Sequence, residues 1–276
     1  MNGVIVIDKE KGITSRDVVN RVVKEYNTKK VGHTGTLDPI ATGVLVVCVG
    51  SATKLVSELT NHDKEYIATV ELGKLTDTLD ITGNLVKKEK VDVTKEEIID
   101  VLNSFKGKYI QTVPIYSAVK VNGRKLYEYA RSNEYVELPK REVEIYDIEL
   151  LDYKDNYFTF KCSVSKGTYI RALINDIATK LGTIGIMTDL RRTRLGKFTL
   201  DDCSRGLISI KDVLDIPVIE IDDSIEKKVL NGAKIDDIYN SDKVLFVKNN
   251  IEIGIYIKEE EIMKPYIMFK GGNIWH

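Results

Sequence analysis

The sequence predicts an α+β protein in which a mixed, largely antiparallel sheet is flanked by helices and followed by a small β-rich C-terminal domain. Three observations carry that reading. Strand-like and helix-like segments follow one another without the strict alternation that builds a doubly wound parallel sheet. Glu65 to Leu72 and Tyr157 to Val164 alternate apolar with polar or smaller residues, the period of a strand with one buried face. Near Pro217 the texture shifts to short β-like pieces separated by turn residues, so residues 1–217 are read as the main domain and 218–276 as the appended one. A chain of 276 residues is long enough for two such units.

Taken in order, Val4 to Ile7 reads as a buried strand. Thr14 or Ser15 caps a following helix on which Val18, Val19, Val22, Val23 and Tyr26 recur at helical spacing. A glycine-punctuated loop runs from Gly32 to Pro39. Val44 to Val49, rich in β-branched residues and bounded by Gly43 and Gly50, fits a central strand. Thr94 and Glu97 form a capping box for an amphipathic helix reaching Phe105, with Ile98, Val101, Leu102 and Phe105 turned inward. The stretch holding Val143, Ile145, Ile148 and Leu150 is expected to pair antiparallel with Tyr157 to Val164 through a turn at Lys154 to Asn156. Ile170 to Leu181 is a helix, with Ile170, Leu173, Ile174, Ile177, Ala178 and Leu181 on one stripe. The C-terminal pieces are Val244 to Val247, Ile251 to Ile257 and Tyr266 to Phe269, divided by turns at Asn249-Asn250 and Gly271-Gly272.

Composition narrows the function classes. With 43% hydrophobic and 30% charged residues, the chain is neither disordered nor collagen-like. Its first apolar stretch, Val4 to Ile7, has no basic segment before it, and its longest apolar run, Val44 to Val49, is far too short for a membrane span. A cytoplasmic protein without membrane attachment is expected. Cys48, Cys162 and Cys203 are far apart and odd in number, so no disulfide framework is expected; His33, His62 and His276 stand at no ligand spacing, so neither is a metal site. The absence of a long exposed apolar stripe favours a monomer.

A net charge of −1 gives no global reason to expect a polyanionic partner, but the distribution does. Lys161, Lys166, Arg171, Lys180, Arg191, Arg192, Arg194 and Lys197 face only Asp176 and Asp189 in their stretch. Lys106, Lys108, Lys120, Arg124, Lys125 and Arg131 face only Glu128. Charge alone leaves a phosphate-binding face and an ordinary solvated surface equally open.

The most informative segment is Gly32-His33-Thr34-Gly35-Thr36-Leu37-Asp38-Pro39, followed by Ile40-Ala41-Thr42-Gly43 and a strand. Its glycines let backbone approach a ligand, and Pro39 fixes the turn just after the carboxylate. The spacing fits neither a P-loop nor a dinucleotide fingerprint, and by itself the segment reads as an Asp-Pro turn. Its company decides. Together with Asp63-Lys64-Glu65-Tyr66, Leu72-Gly73, Thr76-Asp77-Thr78, Pro114-Ile115-Tyr116-Ser117-Ala118-Val119-Lys120, Lys125-Leu126-Tyr127-Glu128-Tyr129-Ala130-Arg131, Ser165-Lys166-Gly167-Thr168-Tyr169-Ile170-Arg171 and Leu190-Arg191-Arg192-Thr193, it resembles the TruB-type family of tRNA pseudouridine synthases over about residues 3–200.

The resemblance implies the pseudouridine synthase fold with a short PUA-like, RNA-binding C-terminal domain. It implies isomerisation of the T-loop uridine of tRNA, U55, after the base has been flipped out. Asp38 becomes the essential carboxylate, either attacking the sugar or taking a proton from it, and both roles need the ionised form. Arg171 supplies the opposite charge that favours that form. Tyr66 stacks on the uracil and helps remove the carbon-bound proton, Tyr169 and Leu190 contact the base, and His33 fills or supports the space the base vacates. The reaction neither oxidises nor hydrolyses, so no cofactor and no metal is implied. The partner is tRNA, through its T-arm and, by way of the C-terminal domain, its acceptor stem. One position departs from the family pattern: Glu10 follows Lys9 where the family usually has proline, which puts the support beneath the aspartate loop in question. An inactive RNA-binding relative and a synthase working within a guide-RNA particle are rival readings. A nucleosidase is a third, and it would need a second catalytic carboxylate that the sequence does not offer.

Overall fold

The structure, a computed structural model, describes residues 1–269, so the Gly271-Gly272 turn lies outside it. The chain lays down β1 (Gly3–Lys9), α1 (Ser15–Glu25), β2 (Val31–His33), β3 (Thr42–Val49), α2 (Val56–Thr60) and β4 (Lys64–Leu72). A hairpin of β5 (Lys74–Thr76) and β6 (Leu85–Lys88) follows, then α3 (Lys95–Asn103), β7 (Gly107–Thr112), a tight pair β8 (Lys120–Val121) and β9 (Arg124–Lys125), and α4 (Leu126–Arg131). Next come β10 (Lys140–Lys154), β11 (Tyr157–Val164), α5 (Ile170–Lys180), β12 (Gly185–Leu195) and β13 (Phe198–Thr199). Helix α6 (Ile210–Val213) leads to β14 (Val218–Glu220), α7 (Asp223–Leu230), β15 (Ile235–Asp236), β16 (Lys243–Lys248), β17 (Ile251–Glu259) and β18 (Ile262–Met268).

Nine strands form the main sheet, in the order β1-β3-β12-β4-β11-β10-β7 with β2 on β3 and β13 on β12. Every pairing in it is antiparallel except β3 with β12, which meet in parallel at Thr42/Arg191 and Gly43/Arg192. The expected mixed, largely antiparallel sheet flanked by helices is the observed one. The expected Thr94–Glu97 capping box forms, and of Thr14 and Ser15 it is Thr14 that caps α1, also in a capping box: the Thr14 and Thr94 side chains accept from the amides of Asp17 and Glu97, whose carboxylates accept from the capping residues' amides in return.

One face of the sheet packs Tyr66, Ala68, Val70, Phe158 and Phe160 against Val18 and Val22 of α1, Ile98 and Leu102 of α3, and Leu173 and Ile177 of α5. The other face buries Val4, Val6, Val44, Val46 and Cys48 against Ile210 and Val213, and against Leu245, Val247 and Ile255 of the second, five-stranded sheet. That C-terminal sheet keeps a core of its own around Val244, Phe246, Tyr256 and Met263. Strands are found at all three expected C-terminal pieces, but α7 was not anticipated. Asp222 caps it by accepting from the amides of Ser224 and Ile225, while its eight residues contain too few apolar positions to show a helical period. Likewise β2 lies inside what reads as a loop, because the chain from Val31 to His33 pairs with β3 before turning away.

Candidate active site

The loop carrying Asp38 leaves β2 and returns into β3, and it is tied at both ends and from beneath. Thr34 donates its amide to the Val46 carbonyl at 2.9 Å. The Leu37 amide donates to Ser15 Oγ at 2.9 Å, and that hydroxyl lies 3.2 Å from the Leu37 carbonyl it can donate to. The Ala41 amide closes on the Asp38 carbonyl at 3.0 Å. Two glycines are required here. Gly35 holds φ +89°, and at Gly43, with φ +100°, a Cβ would collide with the Arg192 carbonyl where β3 and β12 run closest.

The Glu10 departure is compensated locally. Gly12 donates its amide to the Pro39 carbonyl at 2.8 Å. The fully buried Lys9 ammonium reaches the carbonyls of Ile13 (2.7 Å), Glu10 (2.9 Å) and Pro39 (3.4 Å), joining the two turns. Burial pulls the Lys9 pKa down and nearby Asp38 pushes it back up.

Asp38 and Arg171 come together. Arg171 enters from the first turn of α5, 6% exposed, and donates Nε to Oδ2 of Asp38 at 2.9 Å and one terminal N–H to Oδ1 at 3.3 Å. The same guanidinium donates to the carbonyls of Thr78 (2.8 Å) and Tyr116 (3.0 Å), so four of its five N–H groups are used and three separate segments are fixed to α5. The Asp38 side chain is still 34% exposed. A carboxylate gripped on one side and open on the other can meet a ligand without giving up its guanidinium partner.

Tyr66 and Leu190 lie in the same apolar cluster as Leu37, Ile40 and Ala41, which flank Asp38 in the chain. Tyr66 is 6% exposed; burial raises its phenol pKa, and neighbouring Arg192 opposes that rise. Tyr169 caps α5 two residues before Arg171, exchanges two hydrogen bonds with Gln111 (2.8 and 3.2 Å), and has the Arg141 guanidinium 5.7 Å from its ring centroid. His33 stands at the end of β2, where the loop that carries Asp38 begins. Its Nδ1 is buried without a partner, and burial, Arg16 and Arg192 all lower its pKa, so the imidazole is neutral at physiological pH.

Sequence reasoning missed two residues. Asp80, 5% exposed, has Oδ2 3.9 Å from Arg171 Nε and accepts from the Thr82 amide and from the hydroxyls of Thr78 and Thr82. It lies just beyond the Thr76-Asp77-Thr78 block, whose turn gives no hint that its carboxylate faces inward. Arg192, 1% exposed, was read as part of a basic island on the surface. The structure corrects that reading for Arg171 and Arg192, which point into the protein; Arg191 and Lys197 stay at the surface.

A fold of this topology is found in two solved complexes. The chain aligns over 97% of its length, and over 85% of the matched chain, with a protein of a Cbf5–Nop10–Gar1 complex at 26% identity and a TM-score of 0.70. It aligns over 98%, and over 85% of the matched chain, with a protein of an H/ACA ribonucleoprotein bound to a substrate RNA containing 2'-deoxyuridine, at 25% identity and a TM-score of 0.69. The fold is that of a pseudouridine synthase, an isomerase of uridine in RNA.

Residues 23–170 match the N-terminal domain of TruB family pseudouridylate synthases, and residues 171–232 match the C-terminal domain of tRNA pseudouridylate synthase B. The protein called tRNA pseudouridine synthase B in Caldanaerobacter subterraneus subsp. tengcongensis is 43% identical over 98% of this chain and 99% of its own length. The Staphylococcus aureus protein of that name is also 43% identical, over 97% and 99%. The chain belongs to the TruB family of pseudouridylate synthases.

Proposed function

We propose that this enzyme isomerises uridine 55 in the T-loop of tRNA, in the cytoplasm and as a monomer, with Asp38 as its essential carboxylate. The observation that carries the proposal is the Asp38 carboxylate itself, held bidentately by a buried arginine yet one-third open beside Tyr66 and Leu190. The reaction breaks the bond between uracil N1 and ribose C1', turns the base, and joins C5 to C1'; N1 gains a proton and C5 loses one, so the balance closes without a redox partner. Asp38 begins it by attacking C1' or by taking a sugar proton. Tyr66 stacks on the uracil and Leu190 and Tyr169 confine it. His33, neutral and with an unpaired ring nitrogen, suits the space the base leaves. Extrusion from the stack costs roughly a few kcal/mol, and phosphate contacts made by the exposed cations offset that.

The names of the relatives support tRNA as the substrate. Residues 1–217 act as the catalytic domain, and residues 218–276 as a PUA-like module that extends the RNA contact from the T-arm toward the acceptor stem. The nucleosidase reading loses ground to Asp80, which is close enough to be a second carboxylate but is engaged by three donors and buried.

Incubation with an unmodified tRNA transcript and mapping of the product tests the proposal. The wild type is expected to place pseudouridine at position 55, and Asp38→Asn to make none while binding tRNA nearly as well. Turnover by Asp38→Asn at the wild-type rate would overturn it.

A further inference from the structure

Arg192 lies on the short stretch of β12 that has a parallel neighbour on one side and an antiparallel one on the other. Its Cα is paired with Gly43 on β3 and with Tyr66 on β4. The side chain is 1% exposed, and among the described residues no carboxylate lies within ion-pair distance. Instead Nε donates to the Val44 carbonyl at 2.7 Å and a terminal N–H to the Gly35 carbonyl at 3.3 Å, using two of the five donors. An arginine stays charged in such a place, so a full positive charge is held beneath the catalytic loop without a carboxylate in contact with it. Tying strand to loop would need only a neutral donor such as glutamine. The Tyr66 side chain stands opposite on β4, where its register partner is Arg192, and the guanidinium opposes the rise that burial gives the phenol pKa.

We propose that Arg192 is a positioning residue for Tyr66, donating to the phenol oxygen so that the phenol's own proton is turned into the site, toward a carbonyl oxygen of the uracil. A phenol oxygen that accepts from a guanidinium cannot usefully aim its O–H back at that cation. The proton therefore points outward, and Tyr66 meets the base as a hydrogen-bond donor of fixed direction and a stacking surface, in place of the proton-removing role that the family resemblance implies. The same guanidinium grips the Gly35 carbonyl, so the stacking residue and the loop bearing Asp38 are set in register by one side chain. This inference rests on Tyr66 facing the substrate base as proposed above.

The first test needs no RNA. The protein is produced with 3-fluorotyrosine, whose phenol is more acidic than tyrosine's, and the Tyr66 fluorine signal is assigned by its loss in Tyr66→Phe. Titration should give a midpoint at least about one unit higher in Arg192→Gln than in the wild type, with Arg192→Lys between them. An unchanged midpoint in both variants overturns the proposal, whatever the substrate is.

The second test compares single-turnover rates for wild type, Arg192→Lys, Tyr66→Phe and the double variant. Arg192→Lys should lower the rate at least tenfold with tRNA affinity unchanged, and should cost less than threefold more once the Tyr66 hydroxyl is gone. An equal loss in both backgrounds would mean a purely structural arginine. Failure of the proposed substrate would appear differently, as a wild type that forms no pseudouridine although the titration shift is present.

Discussion

The two sheets handle charge in opposite ways. The main sheet and its loops bury Lys9, Lys64, Glu71, Asp80, Arg171 and Arg192; among the described residues the strands of the C-terminal sheet bury no charged side chain, only the Tyr256 hydroxyl, which donates to the Val229 carbonyl. Around Phe246 the C-terminal core is closed by edge-on aromatic contacts with Tyr239 (5.2 Å) and Tyr256 (5.0 Å), an arrangement that specifies packing and little else. Buried charge is costly unless partnered, so its concentration around Asp38 shows where stability has been given up for an electrostatic purpose. The C-terminal sheet, by contrast, gains its stability from apolar burial.

The largest effect expected from that difference is at Arg171. Arg171→Lys keeps the charge but loses the fork, and it should slow pseudouridine formation roughly 100- to 10,000-fold, about 3–5 kcal/mol, with tRNA affinity little changed. Rapid-quench kinetics would check this, and unaltered kinetics would make the ion pair incidental. The opposite pattern is expected at the C-terminal core. Phe246→Ala should cost about 3–4 kcal/mol of stability in urea unfolding and leave the single-turnover rate on saturating tRNA within a few-fold of the wild type. A collapse of that rate in well-folded variant would remove the division of labour between the sheets.

Buried charge should also be visible as a pH dependence. The Lys64 ammonium donates to the carbonyls of Thr60 (3.0 Å) and His62 (2.6 Å), and burial lowers its pKa from 10.5 to about 8. Below about 8 the folded and unfolded chains both carry the proton and the cost of burying it is felt in full. Between about 8 and 10.5 the unfolded chain holds more of that proton, so this group makes the fold more stable as pH rises. The wild type should therefore gain up to about 3 kcal/mol over Lys64→Met across that window, at 1.36 kcal/mol per pKa unit. A flat difference between their unfolding free energies would show that the ammonium is not desolvated.

Much of this was legible in the sequence, for physical reasons that can be named. The alternation in Glu65 to Leu72, the capping box at Thr94, the cap at Thr14 or Ser15, and the glycine-bounded Asp38 loop are local signals with local causes. What was hidden depends on pairing between distant segments. Arg192 sits in Leu190-Arg191-Arg192-Thr193-Arg194, which looks like any solvated basic run, and only the approach of Gly43 and the shift in register between Arg192 and Arg194 decide which arginine turns inward. Asp80 faces the site because Leu79 adopts φ +63° and the segment bridges to Met187, neither of which a side-chain pattern records.

The smallest predicted effect concerns the one visible departure from the family pattern. A proline after Lys9 would restrict that turn in the unfolded chain and could add a few tenths of a kcal/mol. Here the turn is already fixed by the Gly12 amide and the Lys9 ammonium, both of which hold the Pro39 carbonyl. Glu10 contributes through its own carbonyl and a 3.4 Å contact with Arg21 between two exposed side chains, a pair worth little in water. Glu10→Pro should thus change stability by less than about 1 kcal/mol and leave the single-turnover rate within twofold. A tenfold loss of rate with unchanged Tm would mean that the loop geometry at Asp38 depends on the flexibility of residue 10, and that the buried lysine is not its main support.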